Sequence, residues 1–227
     1  MTVLLTTERL VLRRFTPQDV DHLVELDSDP RVMRHLTGGR ATPREEVANE
    51  LLPRLLGHYE RYADRPGLGL WAAEERAAGG RFVGWFEFCP TDPERPTAEV
   101  ELGYRLRRAA WGRGLATEGS LALIRLGFAD LGVRRVIART MAVNAGSRRV
   151  MEKAGLRYVR TFRQEWPERI AGDEHGDVEY ALERDGAAPA PGPRTGAGRG
   201  PGSGPGSGPG SDPGRAPGRG PVRSGSG

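Results

Sequence analysis

Gly112 and Gly114, in Trp111-Gly112-Arg113-Gly114, stand just before a stretch with helical apolar spacing. The first N–H groups of a helix have no partner within it, and the aligned peptide dipoles leave that end partly positive. Glycines there carry no side chain, so an anion can approach the main chain closely. A diphosphate fits such a cradle, and the chemistry implied is the binding of a nucleotide-like ligand. An ordinary strand-to-helix turn also uses glycine for its φ angles, and these four residues alone leave both readings open.

The cradle must be held by what flanks it. Across Glu99–Leu106, Val100, Leu102, Tyr104 and Leu106 alternate with Glu99, Glu101, Gly103 and Arg105, the period of a half-buried strand. From Leu115 the spacing turns helical: Leu115, Ala122, Leu123 and Leu126 on one side, Leu121, Ile124, Phe128 and Leu131 on another. A helix apolar on nearly two sides is covered by more than one neighbour. Upstream, residues 10–15 read as a first strand. Thr16-Pro17 opens a helix over 19–27, and Asp29-Pro30 opens a short one over 31–36. Thr42-Pro43 opens a third, which Pro53 kinks or splits. Residues 68–74 and 82–88 form a hairpin about Gly79-Gly80. Downstream come a strand at 135–140 and a helix from Asn144 to Ala154 closed by Gly155. Two strands, 156–163 and 177–183, end the pattern. The order predicts a mixed α/β domain around one sheet.

The 227 residues are of two kinds. Residues 186–227 are Pro, Gly, Ser, Arg and Ala with hardly an apolar side chain, a composition expected to be disordered. Glycine is not at every third position, so collagen is excluded. Residues 1–185 are enough for one domain with its own core. The tail carries Arg194, Arg199, Arg215, Arg219 and Arg223 against Asp212, the same net +4 as the whole chain, so residues 1–185 are neutral. The basic character belongs to the tail, and nucleic acid is not an expected partner of the domain. Cys89 is the single cysteine, so no internal disulfide forms; it reads as a small buried hydrophobe ending a strand. The N-terminus lacks the pattern of a signal peptide, and no apolar run is long enough for a membrane helix, so the expected location is the cytoplasm. The four histidines are scattered without ligand spacing, and no metal is expected.

Four pieces together resemble the GNAT acetyltransferases, in particular the ribosomal-protein N-terminal (Rim-type) branch. They are Thr7-Glu-Arg-Leu-Val-Leu-Arg13, Glu101-Leu-Gly-Tyr-Arg-Leu106, Trp111-Gly-Arg-Gly-Leu-Ala-Thr-Glu118 and Asn144-Ala-Gly-Ser-Arg-Arg-Val-Met-Glu-Lys-Ala-Gly-Leu156. The resemblance implies the acyl-CoA N-acyltransferase fold: a mostly antiparallel sheet of six to seven strands flanked by helices and splayed between the strands at 99–106 and 135–140. It implies acetyl-CoA as co-substrate and direct transfer to a primary amine, either a protein N-terminus or a small molecule. The enzyme would be a monomer or homodimer. The alternative reading is a GNAT-like module that holds acyl-CoA or an antibiotic without turnover.

Carried over by position, the diphosphate cradle falls on Arg107, Arg108, Gly112, Arg113 and Gly114 with Leu115 and Ala116 of the first helical turn. Ala109 stands where the family has Gln or Arg. A bulge near Val100 to Leu102 is implied, aiming a backbone N–H at the acetyl carbonyl. The amine must lose a proton before attack, and Glu101 and Glu165 are the candidate bases, with Glu99 a lesser one. Ser147 is the implied proton donor to the leaving thiolate. Asn144 serves as helix cap and as contact for the pantetheine arm. Plain readings stand beside these: a solvent-facing carboxylate for each Glu, and an ordinary first-turn serine for Ser147. The loops at 29–44 and 166–177 are expected to select the acceptor, and Glu165, Trp166, Glu168, Asp173 and Glu174 would suit a cationic one.

Overall fold

A computed structural model describes residues 2–164 and 168–184. Glu165 and Trp166, and the tail expected to be disordered, lie outside the described residues.

The described residues build one eight-stranded sheet. Its strands are β1 (Val3–Thr6), β2 (Leu10–Arg13), β3 (Gly69–Glu75), β4 (Arg81–Pro90), β5 (Glu99–Leu106), β6 (Arg135–Met141), β7 (Arg157–Phe162) and β8 (Asp177–Glu183). They lie in the order β1-β2-β3-β4-β5-β6-β8-β7. Every neighbouring pair is antiparallel except β5 and β6. The count exceeds the six to seven strands expected. Val3–Thr6 is a four-residue edge strand, too short and too open to solvent to alternate in sequence.

Among the described residues run the helices α1 (Val20–Ser28), α2 (Arg44–Glu46), α3 (Leu52–Arg61), α4 (Leu115–Ala129) and α5 (Ala145–Lys153); α2 leads toward α3, and the others pack on the sheet. The third expected helix is neither simply kinked nor split. Pro53 lacks an N–H and its ring crowds the turn before it, and Val47–Leu51 widens into a π turn ahead of α3.

Successive side chains of a strand face opposite ways, so β4 serves two layers. Phe86 and Phe88 meet α4 at Gly119 and Gly127, where a Cβ on Gly119 would fall 2.2 Å from the Phe86 ring. Trp85 and Glu87 face Leu51, Leu55 and His58 on the α3 side.

The β4–β5 register runs unbroken from Gly84↔Leu106 to Pro90↔Val100. The bulge expected near Val100 to Leu102 is therefore not there. The opening arises differently. β5 pairs with β6 only at Glu99↔Arg135, Val100↔Val136 and Glu101↔Ile137, and both strands continue beyond the last pair. Past Glu101, β5 stays with β4 and parts from β6, so divergence makes the splay without an inserted residue.

Candidate active site

The cradle forms where β5 runs into α4. Trp111 Nε1 donates to the Leu106 carbonyl at 2.8 Å, pinning the turn to the end of the strand. Gly112 and Gly114 have φ of 70° and 77°, left-handed values that favour glycine. A Cβ on Gly112 would meet nothing within 4 Å, so the space over the turn is open. Gly114 begins α4 with no side-chain cap, leaving the first-turn N–H groups around Leu115 and Ala116 for another acceptor. A diphosphate suits that end of a 15-residue helix.

The cradle's arginines are already matched. Arg107 donates to Glu25 at 2.9 and 2.7 Å, Arg108 lies 3.7 Å from Asp29, and Arg113 pairs with Glu75. These six residues border a cavity of about 260 Å³ beside the turn. An anion bound here would therefore rest on main-chain N–H groups, with the arginines reached only by displacing carboxylates.

The first turn of α5 ties the two parted strands. Asn144 Oδ1 accepts from Ser147 N at 3.2 Å, the expected cap. Its Nδ2 donates to Thr140 Oγ1 of β6 at 3.0 Å. From β5, the Tyr104 hydroxyl donates to the Ser147 carbonyl at 3.0 Å and lies 2.9 Å from Ser147 Oγ. Ser147 and Tyr104 are both fully buried, and burial pushes the Tyr104 hydroxyl above its usual pKa, so it keeps its proton.

Glu101 stands at the fork, the last β5 residue paired to β6. Its side chain is 12% exposed, and Arg139 Nη1 lies 3.3 Å from its Oε2. Its Oε1 is buried without a hydrogen-bond partner. Burial raises the Glu101 carboxyl to about 7; Arg139 opposes the rise, and Glu179 and Glu99 add to it. The solvent-facing reading of Glu101 does not hold.

Of the predicted positions, the structure gathers Gly112, Arg113, Gly114, Leu115 and Ala116 at the cradle, and Glu101, Leu102, Asn144 and Ser147 around the fork. Val100 lies inside the paired stretch. The acidic residues expected to favour a cationic acceptor are largely matched: Glu168 by Arg40 at 2.7 Å and Asp173 by Arg169 at 2.7 Å.

Residues 9–157 match the Acetyltransferase (GNAT) domain family. The chain is a GNAT acetyltransferase. This acetyltransferase is 34% identical over 186 residues to the FsC-acetyl coenzyme A-N(2)-transacetylase of Aspergillus fumigatus, an overlap covering 80% of this chain and 76% of that protein. Its fold is shared with a GNAT acetyltransferase from Bacillus anthracis, with a TM-score of 0.64, 24% identity and coverage of 81% and 99% of the two chains. A ribosomal L7/L12 alpha-N-protein acetyltransferase solved with coenzyme A superposes with a TM-score of 0.66 at 19% identity, over 81% and 98%. The GNAT enzyme described here is thus an acetyl-CoA-dependent acyltransferase, and none of its described helices is long and apolar enough to cross a membrane.

Two residues of this acetyltransferase escaped the sequence. Tyr104 read as one more inward strand residue, and only the fold brings its hydroxyl to Ser147. Glu87 read as strand body. Its signal was a carboxylate between Trp85 and Cys89 in a strand whose flanks leave no obvious wet face.

Proposed function

We propose that this enzyme moves the acetyl group of acetyl-CoA directly to a primary amine. The observation that carries the reading is Glu101: a buried carboxyl at the fork of the sheet, raised to about 7, with one oxygen unmatched. A base is most useful when its pKa lies near the working pH. The cradle holds the diphosphate, and the pantetheine arm runs into the gap between β5 and β6. Glu101 takes a proton from the acceptor ammonium, and the free amine attacks the thioester carbonyl. The carbon–nitrogen bond forms, the carbon–sulfur bond breaks, the leaving thiolate takes a proton from the Ser147 hydroxyl, and the second proton shed by the acylated nitrogen restores that hydroxyl. Glu165, the other candidate base, belongs to residues 165–167 and stays a candidate on sequence alone.

The acceptor is a protein N-terminus or a small-molecule amine. The opening Asn144-Ala-Gly-Ser147 supports a place near the ribosomal N-terminal branch. The Aspergillus relative, whose name puts the acetyl group on a nitrogen, supports N-acetylation and leaves both acceptors open.

Calorimetry first establishes coenzyme A binding; thiol release is then followed with a panel of amines, and acetylated products are identified by mass spectrometry. The reading expects turnover with at least one amine. It expects Glu101→Gln to lower kcat by about 10²-fold and Ser147→Ala to lower kcat with cofactor affinity intact. Binding without turnover across peptide and small-molecule amines would favour the non-catalytic module.

A further inference from the structure

β4 brings a second carboxyl to Glu101. In the β4–β5 register Glu87 faces Gly103 and Cys89 faces Glu101, so Glu87 and Glu101 are diagonal neighbours on one face of the sheet. Such positions lie roughly 7–8 Å apart at the backbone, within reach of two glutamate side chains. Gly103 keeps the space between them clear, since a Cβ there would sit 3.1 Å from Glu87 Oε2. Glu87 is 8% exposed. Its Oε2, like Glu101 Oε1, is buried without a hydrogen-bond partner. It borders a chamber of about 50 Å³ under α3, room for little more than a water molecule or two.

Two ionised carboxylates can only accept hydrogen bonds, so they cannot satisfy one another; one proton between them lets each oxygen find a partner. We propose that Glu87 is a positioning residue of this enzyme, sharing a single proton with Glu101 and donating it as a hydrogen bond to the Glu101 carboxylate. The inference rests on the reading of Glu101 as the base. With Glu87 neutral, Glu101 bears the one negative charge and is ready for the proton of the acceptor ammonium. When that proton arrives the pair is doubly protonated, and one proton then leaves to solvent. His58 is placed to pass it: half-buried on α3, it borders the same chamber, and its Nδ1 lies 3.8 Å from Cys89 Sγ. Burial and the nearby Arg61 and Arg54 hold the His58 pKa down, so its ring rests neutral and carries the proton only in passing.

The surroundings support this order of protonation. Burial first, and the Glu101 charge second, raise Glu87 to about 8, while Cys89, Arg54 and Arg105 pull it the other way. Arg105 contributes little positive charge, because its guanidinium donates to both oxygens of Asp27 at 2.6 Å. Glu101 has Arg139 on β6 as its cation, and Glu179 and Glu99 as like charges. Glu101 therefore ionises first, and its charge keeps the proton on Glu87.

Infrared pH-difference spectra of the whole protein read the shared proton without substrate. The wild type should keep a protonated-carboxyl band at pH 7 that disappears in two steps as pH rises. Glu87→Gln should remove one step. Glu101→Gln should move the remaining step to lower pH, because the charge that holds the proton on Glu87 is gone. A spectrum with no such band at pH 7, or a Glu87 step that Glu101→Gln leaves in place, overturns the proposal, and the second result stands even where Glu87→Gln fails to fold. Kinetics read the consequence. Glu87→Leu, which removes the donor, should shift the acid limb of kcat/KM upward by about one pH unit, roughly a tenfold loss below it. Glu87→Gln, which keeps a donor, should recover most of that shift. An unmoved limb in Glu87→Leu also overturns it. Full turnover in Glu101→Gln would instead sink the base itself, whatever the infrared coupling shows.

Discussion

The two faces of β4 and β5 are built to opposite rules. Toward α4 and α5 they present Phe86, Phe88, Leu102 and Tyr104, all fully buried, with α4 pressed close at Gly119 and Gly127. Toward α1 and α3 they present Trp85, Glu87, Glu101 and Arg105, and this layer is held by charge. The first face belongs with the cradle, where main-chain groups and close packing suffice. The second carries the carboxyls proposed to take the acceptor's proton. A residue's worth on the first face lies in its shape, and on the second in its charge state, so substitutions should separate the two.

The largest effect is expected on the charged face. Asp27 is 1% exposed and Arg105 9% exposed, and each is the other's main electrostatic partner. Removing one partner of a buried pair leaves an uncompensated charge, which costs about 3–5 kcal/mol. Asp27→Ala should lower the urea midpoint accordingly, and Asp27→Leu with Arg105→Met should recover much of the loss. A single variant within about 1 kcal/mol of wild type would mean that packing, not charge, holds this layer too.

The same face should make stability fall with pH. Glu87 and Glu101 are raised to about 8 and about 7 from 4.5, so the folded state binds more protons than the unfolded chain. That contribution is fully present below 4.5 and is lost as pH rises through the folded values. His58, lowered from 6.5, works the other way, but only below 6.5. Between about 6.5 and 8 the carboxyl pair acts alone among the shifted groups, with a slope of at most about 1.4 kcal/mol per pH unit for each carboxyl. Denaturation at pH 6.5 and pH 8 should show the decline, and Glu87→Gln should flatten it.

One change of residue should act with opposite signs at two helix glycines, Gly119 packed on the apolar face and Gly57 exposed on α3. Gly119→Ala drives a methyl into the Phe86 ring and should cost about 1–3 kcal/mol. Gly57, inside α3, has nothing within 4 Å of its would-be Cβ. Gly57→Ala should stabilise by about 0.4–1 kcal/mol by restricting the unfolded chain. Thermal midpoints compare the two directly; equal shifts would remove the claim that α4 needs its glycine for contact.

The sequence was most legible where signals are local. β5 was read with its bounds, α4 begins where the helical spacing begins, and Asn144 caps α5, because alternation, glycine and capping chemistry act within a few residues. Legibility failed where partners lie far apart. Asp27 and Arg105 are 78 residues apart, and Tyr104 meets Ser147 across 43. β4 is buried at every position after Arg81, so alternation could not tell the charged face from the apolar one. The expected bulge failed for a related reason: whether a gap comes from an inserted residue or from diverging strands is decided by pairing, which no single strand encodes.

The smallest expected effect marks the edge of the comparison. Arg40 and Glu168, 64% and 57% exposed, join the two loops expected to select the acceptor, and a Cβ on Gly38 would lie 3.2 Å from Ile170. An ion pair so open to water contributes about 0–1 kcal/mol and weakens with salt. It can bias how the loops meet but cannot clamp them. Glu168→Ala should therefore leave the thermal midpoint within a degree or two of wild type, since about 0.5 kcal/mol moves it little at this size. If these loops border the acceptor, the same variant should raise the acceptor KM modestly, and high salt should reproduce the change in wild type. Coenzyme A affinity should not move, because the cradle lies at the start of α4 and rests on main-chain groups. A fall in coenzyme A affinity in Glu168→Ala would show that the loops reach the cradle, and the division of labour between the two faces would then have to be redrawn.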